Sequence, residues 1–282
     1  MLGDMIIGML YLLKRNGYYE SFTGVCKTRF AEPEGNMFGL DYTCASCRDG
    51  RKQVSEILDG RCPLCNLTFP TLPLPLRKVL WIDWSSRFKI IPNAFPYFEN
   101  HVNFITSTHE SQDIIREPNV ISNLFSFYKS IGKNEWMLFF NHLIGNSLNH
   151  FHVHATTQIN MPLVQMIKRK KFSQPKRVRV FKFTNCFRGI LVTKPTIDII
   201  NKIIRRVRPS PIEFINFGWF GDHFIIFIRR LTEDPLGNTL GSSELMGYIL
   251  SCDMQKLSKI SEACRYTVVS YTRMREIIEG IV

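Results

Sequence analysis

The chain has 282 residues, 45% of them hydrophobic and 12% aromatic, enough to bury a sizeable core without disulfide support and the reverse of a disordered composition. Met5 to Leu13, the longest apolar stretch near the start, is about half the length of a membrane span and no small-residue cleavage site follows it, so a membrane segment and a secretory signal are excluded and the cytoplasm is the expected location. The formal net charge is +12, but 14 Lys and Arg against the single acid Asp198 lie between Lys168 and Arg208, so the excess is one local block. Such a block suits a solvated face, an anionic ligand such as a nucleotide phosphate, or a nucleic-acid backbone.

In chain order, residues 1–40 read as a short apolar helix, a Gly-rich aromatic stretch and a loop at Glu32–Asn36, an N-terminal extension of no legible function. Residues 41–75 form a cysteine module and a proline-marked linker. Cys44 and Cys47 (C-A-S-C) and Cys62 and Cys65 (C-P-L-C) are separated by 14 residues with two Asp-Gly turns, the spacing of a closed tetrahedral zinc knuckle. Four thiolates leave no open coordination position, so the expected zinc is structural. Strands are expected at Val79–Ile82, Phe88–Ile91 and His101–Ile105, a helix over 112–132, and buried strands at Trp136–Phe140 and Asn149–Ile159, which completes a first half at 76–160. Over 161–282 a basic connector precedes a strand at Val178–Phe183, a helix at Ile197–Arg206 and a hairpin of Phe214–Trp219 with Phe224–Ile228 turning at Gly221-Asp222. A loop at Gly241–Tyr248 and one or two terminal helices complete this order, which loosely repeats the first half.

The chemistry concentrates in Asn149-His150-Phe151-His152-Val153-His154. Alternation on a strand would put all three imidazoles on one face and send Phe151 and Val153 to the other. Metal binding and phosphoryl or nucleotidyl transfer both use such a row. Gly145-Asn146-Ser147 just upstream favours transfer, because a small residue with open amides and a hydroxyl suits phosphate oxygens.

These residues resemble the histidine-triad superfamily, in its branch of galactose-1-phosphate uridylyltransferases, diadenosine tetraphosphate phosphorylases and GDP-L-galactose phosphorylases. That branch carries Gly-x-Ser-x-x-His-x-His-x-Gln, matched here by Gly145, Ser147, His150 and His152, with His154 in place of Gln. Asn93 to Ile105, with Phe95, resembles the Asn-Pro-Phe-Pro…His strand of the GDP-L-galactose phosphorylase-like group; His109 stands where that group has a second His, and Asn141 resembles the asparagine that ends the preceding strand. The resemblance implies an α+β fold, a histidine-triad-like antiparallel sheet with flanking helices in two halves, the second degenerate. It also implies a covalent mechanism. His152 attacks the α-phosphorus of a nucleotide sugar or dinucleoside polyphosphate, a phosphate or sugar phosphate accepts the nucleotidyl group, and a backbone carbonyl fixes the neutral tautomer of His152. Ser147 then binds a nonbridging oxygen, His154 donates to phosphate or leaving group, and His150 braces the loop. Asn141, Gly145, Asn146, Asn93 and Phe95 line the substrate site. Apart from the resemblance, Arg229 and Arg230 end the Phe224–Ile228 strand and face opposite ways, so that one of them, Arg229, is expected at the acceptor phosphate. His154 at the Gln position keeps hydrolysis open as an alternative; a zinc-containing nucleic-acid-binding protein is a further one. A monomer and a homodimer both fit.

Overall fold

A computed structural model describes residues 2–15, 25–31, 37–43, 62–66, 81–93, 98–145, 148–157, 161–169, 176–182, 188–233, 240–249, 263 and 266–281. The apolar runs after residue 81 become strands of one nine-stranded antiparallel sheet. These are β3 (Ile82–Asp83), β4 (Phe88–Pro92), β5 (Val102–Thr106), β6 (Met137–Phe140), β7 (His152–Thr156), β8 (Val178–Lys182), β9 (Arg188–Thr193), β10 (Phe214–Phe220) and β11 (His223–Arg229), in spatial order β3-β4-β5-β7-β6-β10-β11-β9-β8. Before them come α1 (Leu2–Arg15), the hairpin β1 (Val25–Ala31) and β2 (Met37–Thr43), and the single turn α2 (Pro63–Asn66). A short strand β12 (Tyr248–Ile249) runs parallel to β2 and makes a separate three-stranded sheet.

The large sheet is built twice from one pattern. The hairpin β4–β5, the helix α3 (Pro118–Ile131) and the strands β6 and β7 give the order β4-β5-β7-β6; the hairpin β8–β9, the helix α5 (Ile197–Arg206) and the strands β10 and β11 give β8-β9-β11-β10. The halves meet where β6 pairs β10, Phe140 opposite Phe217 and Met137 opposite Phe220. β11, which takes the place of β7, carries Phe224, Ile226 and Ile228 instead of alternating histidines, so the second half keeps the architecture without the triad. The expected α+β fold with a degenerate second half is therefore observed.

Several elements differ from the sequence expectation. The segment 112–132 is a 3-10 turn (Gln112–Arg116) followed by α3, because Pro118 opens the helix at its first position and holds Glu117 extended. β7 begins at His152 rather than Asn149. The hairpin β1–β2 and the strand β9 were not expected, the basic connector contains α4 (Pro162–Arg169), and the loop at 241–248 contains the short helix α6 (Ser242–Leu245). α7 (Tyr271–Ile278) is the terminal helix among the described residues. Most of the described basic block is exposed, and three of its arginines brace the backbone: Arg177 donates to the Lys194 carbonyl at 3.0 Å, Arg188 to that of Val268 at 2.6 Å and Arg206 to that of Ile277 at 3.1 Å. No described helix is long and apolar enough to cross a membrane.

Candidate active site and metal cluster

β7 lies between β5 and β6, with His154 opposite Asn103 on one side and Phe139 on the other. His152 Nδ1 sits 2.8 Å from the His150 carbonyl oxygen, where a nitrogen lone pair would face an oxygen lone pair. Gln112 Nε2 also approaches Nδ1, at 3.0 Å, but its hydrogen goes to the same carbonyl, and the shorter contact to an oxygen that can only accept makes Nδ1 the donor and leaves the ring's lone pair on Nε2. The acceptor expected for the nucleophile's tautomer is thus the carbonyl two residues back. Buried Gln112 holds it in place: Nε2 donates to the His150 carbonyl at 3.1 Å, and Oε1 accepts from the His152 backbone N–H at 3.4 Å. Gln112 gave no sequence signal, since its partners lie 38 and 40 residues away.

The three imidazoles do not form one row. The rings of His152 and His154 meet edge to face, 4.9 Å between centroids, while His150 precedes β7 and joins a different cluster. Its Nε2–H donates to the Thr106 carbonyl at 3.0 Å, which leaves Nδ1 as the lone-pair nitrogen, 3.4 Å from the sulfurs of both Cys62 and Cys65. His109 Nδ1 lies 3.3 Å from Cys65 Sγ, and one donor atom from each of these four residues lies within 4.8 Å of the others. Thiolate and imidazole ligands on a tetrahedral zinc stand about 3.5 Å apart, so this set fits one ion, and the second-nitrogen bond from His150 to a carbonyl is the usual support of a metal-bound imidazole. The cysteine module is thereby corrected in part. Cys62 and Cys65 are brought together with His109 and His150, while Cys44 and Cys47 lie outside the described residues. Burial pushes the Cys62 thiol up, but hydrogen bonding at its sulfur, the Cys65 backbone N–H included, outweighs it and brings its pKa down to about 6. Burial and the neighbouring Cys62 raise that of Cys65 to about 11.

On the other flank, His154 Nδ1 lies 3.0 Å from His101 Nε2, and His154 stacks on Phe139 with 4.5 Å between centroids and 7° between planes. Asn93 Nδ2 approaches the same His101 nitrogen at 3.0 Å and the Asn103 side-chain oxygen at 3.4 Å. Asn93, expected to bind substrate, is here a buried partner of this pair.

Asn141 closes β6. Its side-chain oxygen accepts from the Ser242 amide at 2.6 Å and from Asn216 Nδ2 at 3.3 Å, joining the end of β6 to α6 and β10. Gly145 has φ 75°, and a Cβ there would fall 2.1 Å from the Leu240 carbonyl oxygen, so the loop needs glycine for conformation and for space. Arg229, expected at an acceptor phosphate, is fully buried; it donates to the carbonyls of Ile144 (3.3 Å) and Leu240 and to Thr267 Oγ1 (2.9 Å), clamping two loops together. Arg230 beside it is exposed, as alternation requires. His142, next to Asn141, accepts from the Ile215 amide at 3.4 Å and directs Nε2 to Asp113 at 3.0 Å; burial lowers its pKa to about 4 despite that carboxylate. Ser147, Asn146 and Phe95 lie outside the described residues.

Residues 25–157 match the family model "Domain of unknown function (DUF4922)". No curated protein sequence matches the chain. Among solved structures the chain is similar to yeast Ap4A phosphorylase Apa2, with a TM-score of 0.64, 14% identity, and 99% of this chain and 96% of that chain covered. It is also similar to the same yeast enzyme in complex with Ap4A (TM-score 0.63, 13% identity, 98% and 95% covered) and with AMP (TM-score 0.62, 15% identity, 92% and 91% covered). The chain thus has the fold of this yeast phosphorylase over nearly its whole length.

Proposed function

We propose that the protein is a nucleotidyltransferase or phosphorylase that cleaves a dinucleoside polyphosphate, or a nucleotide sugar, through a nucleotidyl-His152 intermediate. The observation that carries this reading is the 2.8 Å bond from His152 Nδ1–H to the His150 carbonyl, which makes Nε2 the nucleophile. Nε2 attacks the α-phosphorus; the P–N bond forms as the P–O bond to the departing nucleoside polyphosphate or sugar phosphate breaks. The carbonyl stabilises the positive charge that develops on the ring. Phosphate, or a sugar phosphate, then attacks phosphorus and breaks the P–N bond. Gly145 and Ser147 receive nonbridging oxygens, and Asn141 holds their loop. Structural zinc is the metal we assign to Cys62, Cys65, His109 and His150, where its chemistry is to tie α2 and the loop around His109 to the residue that orients His152. The likeness of fold to a phosphorylase solved with Ap4A and AMP supports adenine nucleotides as substrates.

Hydrolysis is the second reading, favoured by His154 at the position of the transferases' Gln. Intact-protein mass spectrometry after exposure to Ap4A and a panel of nucleotide sugars tests both. A gain of one nucleoside monophosphate, released faster when inorganic phosphate is added, is expected. Release at the same rate in buffer alone supports hydrolysis, and His152→Ala retaining turnover near wild type would overturn the covalent route.

A further inference from the structure

We propose that this site takes up a proton when it binds an anionic phosphate: His154 serves as a cationic donor to the phosphate and His101 is the buried acceptor that positions it. This inference rests on the phosphoryl-transfer reading of the same site. His101 Nε2 lies 3.0 Å from both Asn93 Nδ2 and His154 Nδ1. An amide nitrogen can only donate, and Asn93 Nδ2 also points a hydrogen at the Asn103 side-chain oxygen, 3.4 Å away. His101 Nε2 is therefore an acceptor, and the proton between the two histidines belongs to His154 Nδ1.

The consequence follows from imidazole chemistry. A neutral ring has one N–H; with it on Nδ1, Nε2 presents a lone pair, which repels phosphate oxygens. His154 gains a second donor only as imidazolium. Burial, with 7% of the residue exposed, disfavours that cation in the absence of an anion. Three features favour it once phosphate arrives: the anion itself, the His101 acceptor, and the face of Phe139 stacked at 4.5 Å, which attracts a cation. The groups packed against His154 are His152 on its own strand, His101 and Asn103 from β5 and Phe139 from β6. Tyr248 of β12 lies one ring behind His101, through Phe98. A Gln in place of His154 supplies an amide donor at any pH and needs no proton. The substitution thus turns a pH-independent contact into a proton-linked one.

Calorimetric titration with AMP at pH 8, in buffers of different ionisation enthalpy, reads the proton directly. Wild type is expected to take up close to one more proton per AMP bound than His154→Gln does. Across pH 7 to 9 the Kd of wild type is expected to rise by about tenfold per unit more steeply than that of His154→Gln. His101→Gln, which keeps an acceptor oxygen near the Nε2 position, is expected to retain the uptake, and His101→Leu to lose it. Because His101→Leu puts an apolar group in a polar core, 15N spectra of the wild-type histidines give an independent reading: both His154 nitrogens protonated with AMP bound, one without. Equal uptake in wild type and His154→Gln, or a neutral His154 in the complex, overturns the proton linkage and leaves the transferase reading standing. Failure of wild type to bind AMP or Ap4A overturns both.

Discussion

Single residues carry the chemistry, and their legibility in the sequence depended on whether the pattern was local. His152 and His154 stood out because alternation on a strand is a pattern of neighbours. Gln112 and His101 did not, because each acts across the fold, Gln112 on groups 38 and 40 residues away and His101 on one 53 residues away. Gln112→Leu leaves the His150 carbonyl with one donor fewer and the tautomer of His152 less constrained. It is expected to lower kcat by about tenfold with little change in KM, and to cost about 1–3 kcal/mol in denaturant unfolding. His142 sets a pH limit on stability. Its folded pKa of about 4 lies below the ordinary 6.5, so between these values the unfolded chain binds the extra proton. Stability is full above pH 6.5 and falls towards pH 4, by up to about 1.4 kcal/mol per unit. Urea titrations at pH 7 and pH 5 check this, and His142→Gln is expected to flatten the slope.

At the scale of elements, what matters is how loops are held against strands. The Gly145 turn follows β6, and the Leu240–Gly241 segment approaches it from the other half of the chain; Arg229 and Asn141 tie the two. The glycine was legible as a tight-loop residue, whereas the role of Arg229 was not. Position at a strand end suggests a solvent-facing or ligand-facing cation, and only the partner carbonyls reveal a clamp. Gly145→Ala is expected to destabilise by about 3 kcal/mol, since it combines a left-handed backbone with a collision against a carbonyl, and to abolish adduct formation even where the chain still folds. Arg229→Met removes the donors to two carbonyls and is expected to lower stability by a similar ~3 kcal/mol. If it served only an acceptor phosphate, thermal melting would be unchanged and only the dependence on phosphate would shift. The helix over 112–132 was legible as periodicity, but its division at Pro118 turns residues 112–116 into the short turn that supplies Gln112 and Asp113.

For the whole molecule, the repeated sheet was legible only as a loose repetition of elements. What makes it a duplication is the pairing of β6 with β10 and the matched strand orders on either side, and pairing between strands far apart in sequence leaves no local trace. The metal cluster was half legible for a related reason. Two cysteines three apart announce a ligand pair, but the histidines that complete it arrive from the loop after β5 and the segment that leads into β7. The purified protein is expected to carry about one zinc per chain, measured by elemental analysis. Cys65→Ser is expected to lose it together with several kcal/mol of stability and the ability to form the adduct. His150 belongs to two assemblies at once: its imidazole stands among the thiols, and its peptide oxygen holds the His152 ring. Under the proposed chemistry, a mercurial or an alkylating agent directed at Cys62 should therefore mimic an active-site poison, stopping turnover by disturbing the residue that steers His152.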